Sequence, residues 1–327
     1  SAASDVYKRQ MERRSNMCLS TGMSVTNEVR LEDANWLLSL AGLPHSENMA
    51  PLAGGWDNKS FLVDLADGSK VVLKAWFANR IEEVDRVILR HIHLDSHGIP
   101  TTVPIKLADN SSFAVKNGVA WTLLPYIRGG HLGNDSESLI DLGKVLAQMH
   151  EIPNSDCFPT EYRMGFSLFE EVSSLSKDGG PDSSFVELLA IEASAIKEGL
   201  VEEIPVGILH GDLFPDNVIG KGEVGAILDL EEAWIGPKIF DLAMAFVGFG
   251  WDGTQPVLDR WQSLVEGYQS VRLLEDKEIE SLPMMHRYAT LAIASWRYWK
   301  HNLVDPGEGL SERYVEMVDR LEVEFEF

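Results

Sequence analysis

His210-Gly211-Asp212-Leu213-Phe214-Pro215-Asp216-Asn217 sets an aspartate and an asparagine five positions apart in one short polar loop, and twelve positions past Asn217 the apolar run Gly225-Ala226-Ile227-Leu228 leads into a second aspartate, Asp229. These residue types in this order suit phosphoryl transfer. That chemistry asks for a carboxylate to accept the proton of the attacking hydroxyl, an amide to hold Mg²⁺, and a second carboxylate to bridge the metal to ATP. Asp212, Asn217 and Asp229 fit the three roles in turn. A plain polar turn also favours Asp and Asn, but it gives no reason for an apolar strand to end on Asp229.

Upstream, Phe61–Leu65 and Val71–Ala75 flank Asp67-Gly68 and read as a β-hairpin. Lys74 alternates with Val72 on the second strand, so its ammonium is expected on the face that meets the α and β phosphates of a nucleotide. The preceding loop, Gly54-Gly55-Trp56-Asp57-Asn58, has the glycines that let backbone N–H groups approach phosphate oxygens. A lysine so placed wants an acidic partner on the helix expected over residues 81–97. Asp85 and Glu83 are both available there, with spacing favouring Asp85. The nucleotide base is expected against the hinge Leu123-Leu124-Pro125-Tyr126, where backbone groups around Leu124 and Tyr126 meet an adenine edge.

The wider pattern is α+β and bilobal: a small antiparallel sheet carrying one helix, then a larger, mostly helical lobe. A short amphipathic helix carrying Leu31, Trp36, Leu37 and Leu40 is expected to end near Gly42 and Pro44, with further strands at residues 102–107 and 119–124. Helices are expected at 137–150, 184–199, 238–248, 255–269, 277–303 and 310–324. The expected division is a disordered or non-native tail over residues 1–30, a nucleotide-binding lobe over 31–125 and a catalytic, acceptor-binding lobe over 126–327. Asp241, twelve residues after Asp229, either holds the backbone of the 210–217 loop or is a helix N-terminal carboxylate favoured by the dipole. His210 is expected to support its loop. His91 and His93 have the wrong spacing for a helical metal pair.

Composition narrows the partners. A formal charge of −23 over 327 residues repels nucleic acid and anionic membranes, so neither is expected as a partner, and Mg²⁺ with a few local cations must carry ATP binding. Two cysteines, Cys18 and Cys157, are too few for a disulfide framework, and a reducing cytoplasm is the expected location.

Taken together, the 210–217 loop, Asp229, the Gly54-Gly55 loop, Lys74, the Leu142–His150 helix and the start Phe240-Asp241-Leu242-Ala243 resemble the aminoglycoside phosphotransferase and choline kinase superfamily. Within it, the run His210–Val218 and the later Gly267-Tyr268-Gln269-Ser270-Val271-Arg272 are most similar to bacterial homoserine kinases of this fold. The resemblance implies a protein-kinase-like fold, Mg-ATP as donor, Asp212 as base, Asn217 and Asp229 as metal ligands, and Lys74 on phosphate. After Asp229 the chain runs Leu-Glu-Glu-Ala-Trp, where the resemblance calls for an aromatic-rich stretch.

Spacing also limits the acceptor. A peptide substrate needs a loop of a few dozen residues after the metal aspartate, yet only eleven separate Asp229 from Asp241. The acceptor is therefore expected to be a small molecule enclosed by the helical lobe, with Arg287 or Arg297 holding a carboxylate. Homoserine is the leading candidate, with choline, methylthioribose or aminoglycosides as enzyme alternatives and a silent nucleotide-binding regulator as the alternative from another class.

Overall fold

The computed structural model describes residues 28–52, 58–176, 183–306 and 309–327. The first lobe runs α1 (Leu31–Leu40), β1 (Ser46–Pro51), β2 (Lys59–Leu65), β3 (Lys70–Trp76), α2 (Ile81–Ser96), β4 (Ala114–Lys116) and β5 (Val119–Pro125). Its strands form one antiparallel sheet in the order β1-β2-β3-β5-β4. Between β2 and β3 the Asp67 carboxylate accepts the N–H and hydroxyl of Ser69 at 2.9 and 2.6 Å, and Gly68 takes the left-handed backbone (φ +83°) that closes the hairpin.

Alternation along β3 sorts the lobe into layers. Val71, Leu73 and Ala75 are buried with Ala34, Leu37 and Leu38 of α1. Trp76, on the opposite face with Val72 and Lys74, packs with Val84, Val87 and Ile88 of α2. Two helices thus cover the sheet where the sequence suggested one, and β1 and β4 are its edges. The expected strand at residues 102–107 does not form. Pro104 has no N–H to give a ladder, and the segment makes only an isolated bridge at Thr101 to Ile227, with Ile105 donating to the Leu123 carbonyl at 2.7 Å.

The second lobe contains β6 (Gly130–His131), α3 (Ser136–Glu151), α4 (Phe166–Ser176), α5 (Ser183–Gly199), β7 (Val206–Leu209), β8 (Val218–Lys221), β9 (Glu223–Ile227), β10 (Trp234–Pro237), α6 (Lys238–Phe249), β11 (Trp251–Asp252), β12 (Gln255–Pro256), α7 (Leu258–Gln269), α8 (Asp276–Tyr298) and α9 (Val315–Leu321). Helix α8 continues into a π turn over Trp299–Val304. Strands β7 and β10 pair, as do β6, β8 and β9 in that order. These two small ladders present the 210–217 loop and Asp229 to the cleft between the lobes. No described helix is long and apolar enough to cross a membrane.

Beneath the loop, α3 and α7 meet backbone to backbone. A Cβ on Gly143 would overlap the Leu264 carbonyl oxygen, and one on Gly267 that of Ile140. Gly143→Ala is therefore expected to destabilise the fold by about 1–3 kcal/mol despite alanine's better helix propensity, read as a lower midpoint in urea denaturation.

His286 lies 4% exposed among Phe246, Trp251, Phe325 and Phe327, and its Nε2 makes no hydrogen bond among the described residues. Burial, then the charges of Arg320 and Arg287, pushes its pKa down to about 3. The unfolded chain binds this proton near pH 6.5 and the fold does not, so the contribution is complete above that pH. It is lost as pH falls, by about 1.4 kcal/mol per unit on the way to the folded value. Thermal melts between about pH 4.5 and 6.5 should show a shallower loss of stability in His286→Gln than in the parent; parallel slopes would refute the assignment.

Candidate active site

The loop that follows β7 is pinned from below. Asp241, fully buried in the first turn of α6, accepts the backbone N–H of His210 at 2.5 Å and of Gly211 at 2.9 Å. Of its two readings from sequence, the loop anchor is the one that the geometry selects. The His210 ring contacts the Leu228 carbonyl through Nε2 at 2.7 Å and the Asp212 N–H through Nδ1 at 3.2 Å. Nε2 must donate and Nδ1 accept, so the imidazole is neutral, and burial lowers its pKa. One ring thereby ties the loop to the strand that ends at Asp229.

Gly211 sits at φ +81°, and a Cβ there would lie 2.6 Å from the Glu232 carbonyl oxygen. Asn217 Nδ2 donates to the Asp212 carbonyl at 2.7 Å and to its carboxylate at 3.2 Å, while Leu228 N–H donates to the Asn217 carbonyl at 2.8 Å. Asp212, Asn217 and Asp229 therefore share one frame. Asp229 adopts a left-handed backbone (φ +52°, ψ 71°), uncommon for a residue with a side chain and a conformation that collects at functional sites.

Lys74 arrives from β3 on the cleft face, opposite Ser60 on one side and Thr122 on the other. Its ammonium lies 3.0 Å from Glu231 and 3.6 Å from Asp229. The expected partners on α2 do not take this role. Asp85 is exposed, and Glu83 accepts from Arg80 at the helix start. Glu231 also accepts Asn58 Nδ2 at 3.0 Å and Asn79 Nδ2 at 3.0 Å. Asn58 is thus buried in the ion-pair network. Leu124, paired with Val72, shares the cleft face with Lys74, and Leu124 and Tyr126 are both half-buried beside it. Gly54 and Gly55 lie outside the described residues.

The sequence profile of the phosphotransferase enzyme family matches residues 48–274. The chain belongs to that family. Homoserine kinase of Rhizobium etli (strain CIAT 652) is 26% identical over 290 residues, covering 82% of this chain and 85% of the relative. Among solved structures, a microcompartment-associated aminopropanol kinase superposes with a TM-score of 0.70 at 14% identity, covering 89% of this chain and 95% of that one. A spectinomycin phosphotransferase in complex with ADP and spectinomycin gives 0.63 at 18%, covering 90% and 94%. As a member of the family the chain is a small-molecule phosphotransferase with the kinase-like fold.

The residues of this phosphotransferase suit a divalent cation. Burial pushes the Asp212 carboxyl up to about 8, helped by the negative charges of Glu232, Asp216 and Asp229. Burial raises Asp229 as well, against the pull of Lys74, although its side chain is still 37% accessible. Glu231 goes the other way: burial opposes its charge, but the Lys74 ammonium outweighs burial and holds it ionised. Asp229 Oδ1 is sealed from solvent and makes no hydrogen bond among the described residues. Two crowded carboxylates and an amide are hard oxygen donors of the kind Mg²⁺ takes together with phosphate oxygens and water.

Glu231, Asn79 and Arg90 were missed by sequence reasoning. Arg90, buried on α2, donates to the carbonyls of Leu230 at 2.7 Å, Glu231 at 3.1 Å and Cys157 at 3.0 Å. The Leu-Glu-Glu run after Asp229 is the signal in the sequence for Glu231, whereas local spacing points to the helix next to Lys74. Arg287 and Arg297, expected on a substrate carboxylate, are engaged within the helical lobe: Arg287 forks onto Glu192 at 2.6 and 3.0 Å, and Arg297 holds Glu316 at 2.9 Å. Glu231→Gln is expected to weaken ATP binding about tenfold or more, since it leaves a buried lysine without its charge partner. Asp85→Asn should leave binding within about twofold. Calorimetric titration with ATP measures both, and the reverse ranking would restore the helix partner.

Proposed function

We propose that this phosphotransferase moves the γ-phosphoryl group of ATP to the hydroxyl of a small amino alcohol, with homoserine the leading acceptor and Mg²⁺ the metal. What carries the reading is the common frame of Asp212, Asn217 and Asp229, locked by hydrogen bonds of 2.7 to 3.2 Å. The homoserine kinase relative supports the acceptor class, and the ADP-bound neighbour supports the nucleotide.

Asp212 accepts the hydroxyl proton as the acceptor oxygen attacks the γ-phosphorus in line. The new O–P bond forms while the bond to the β-phosphate oxygen breaks, and ADP leaves with that electron pair. Asn217 and Asp229 would hold Mg²⁺, which when bound neutralises charge on the phosphate oxygens. Lys74, kept protonated and aimed by Glu231, meets the α and β phosphates. The protein's share is position and charge, with no covalent intermediate.

A coupled ADP-release screen over homoserine, choline, ethanolamine, methylthioribose and aminoglycosides tests the acceptor. Turnover confined to aminoglycosides would overturn homoserine. Asp212→Asn is expected to lower kcat by about 10²–10⁴ while ADP binding persists; near-normal turnover would show that the base is another group.

A further inference from the structure

The left-handed backbone of Asp229 is clamped on both flanks. On the N-terminal side the Leu228 carbonyl accepts His210 Nε2 at 2.7 Å, and the Leu228 N–H donates to the Asn217 carbonyl at 2.8 Å, so that flank belongs to the catalytic loop. On the C-terminal side the clamp comes from the other lobe. Arg90 of α2, 7% exposed, donates through Nη1 to the carbonyls of Leu230 at 2.7 Å and Glu231 at 3.1 Å, and its Nε fixes the guanidinium on the Cys157 carbonyl at 3.0 Å. Within the turn itself the closing bond is long, 3.3 Å from the Ala233 N–H to the same Leu230 carbonyl. A left-handed aspartate persists only where its surroundings over-determine it. On this flank the charged, shorter bond from Arg90 is the stronger constraint.

We infer that Arg90 is a positioning residue for Asp229: it acts across the cleft, through the peptide groups that follow Asp229, to keep that carboxylate in the frame of Asp212 and Asn217. This rests on the function proposed above, in which Asp229 holds Mg²⁺. The two acidic residues of the turn differ in what else secures them. The Glu231 carboxylate receives Lys74, Asn58 and Asn79, each at 3.0 Å, and these three donors keep it in place without Arg90. Asp229 Oδ1 makes no hydrogen bond among the described residues, and Lys74 stands 3.6 Å from it. Release of the Leu230 and Glu231 carbonyls therefore lets residue 229 relax to the negative φ that a side chain prefers, which turns its carboxylate out of the frame. Loss of Arg90 loosens the metal and spares the bare nucleotide.

Calorimetric titration of the full chain with the non-hydrolysable ATP analogue AMP-PNP, once in EDTA and once in saturating Mg²⁺, gives the factor by which metal tightens the nucleotide. Arg90→Met is expected to cut that factor about tenfold or more, with the affinity in EDTA kept within about twofold. Arg90→Lys, whose single ammonium replaces a rigid fork, should recover part of the factor. If the affinities of Arg90→Met in EDTA and in Mg²⁺ fall together, or neither changes, Arg90 acts through Glu231 or the fold alone and the inference is overturned. Asp229→Asn separates this from the proposed function. Should that variant keep the parent's factor, the metal assignment falls and the inference with it; should it lose the factor while Arg90→Met keeps it, only the inference falls. If Arg90→Met does not fold, Arg90→Lys carries the test: a factor lowered about threefold or more supports the positioning role, and an unchanged one overturns it.

Discussion

The ion pair between Lys74 and Glu231 joins the two halves of the molecule beside Asp229. Buried pairs of this kind gain little net stability, since desolvation offsets most of the attraction; what this one supplies is position. Glu231 belongs to the segment directly after Asp229, and the same carboxylate receives Asn58 at the start of β2 and Asn79 before α2. One acidic side chain therefore registers the sheet, the entry to α2 and the segment of Asp229 against each other. Asp241 does the corresponding work below, where its two oxygens fix the peptide groups of His210 and Gly211.

Charge crowding explains why a chain this acidic can still be a phosphotransferase. Burial, then the charges of Glu232, Asp216 and Asp229, raises Asp212; burial raises Asp229 against the pull of Lys74; and Lys74, with Arg163, holds Glu231 down against its burial. Left alone, such a cluster repels polyphosphate. Glu231, held ionised by Lys74 beside a raised Asp229, places the fixed negative charge on the lysine side of the site.

What was legible in the sequence was local. The 210–217 loop, the Asp67-Gly68 hairpin and most helices follow from residue type and short-range periodicity, while Asp241 left two readings open, loop anchor or helix N-terminal carboxylate, that only geometry separates. The partner of Lys74 was not legible, because it lies 157 residues away and leaves no periodic trace. Helix α4 went unnoticed since its Ser-rich sequence scores poorly as a helix and its stability comes from burying Leu168, Phe169 and Val172. At residues 102–107 the error was opposite: β-branched residues suggested a strand that Pro104 does not permit. The arginines of α8 looked available for a ligand only because their acidic partners, Glu192 and Glu316, lie on other helices.

Helix α2 is fastened to the lobe below it. Arg90 grips three carbonyls there, and the Thr101 hydroxyl, which contacts His91, donates to the Ile227 carbonyl at 2.8 Å. In protein kinases the equivalent helix carries the lysine's glutamate, and its swing turns activity on and off. Here that glutamate is anchored in the opposite lobe, and Arg90 of α2 with Asn79 before it hold the same residue, so helix, lysine and glutamate are tied into one unit. An enzyme wired this way has no built-in off position at that helix.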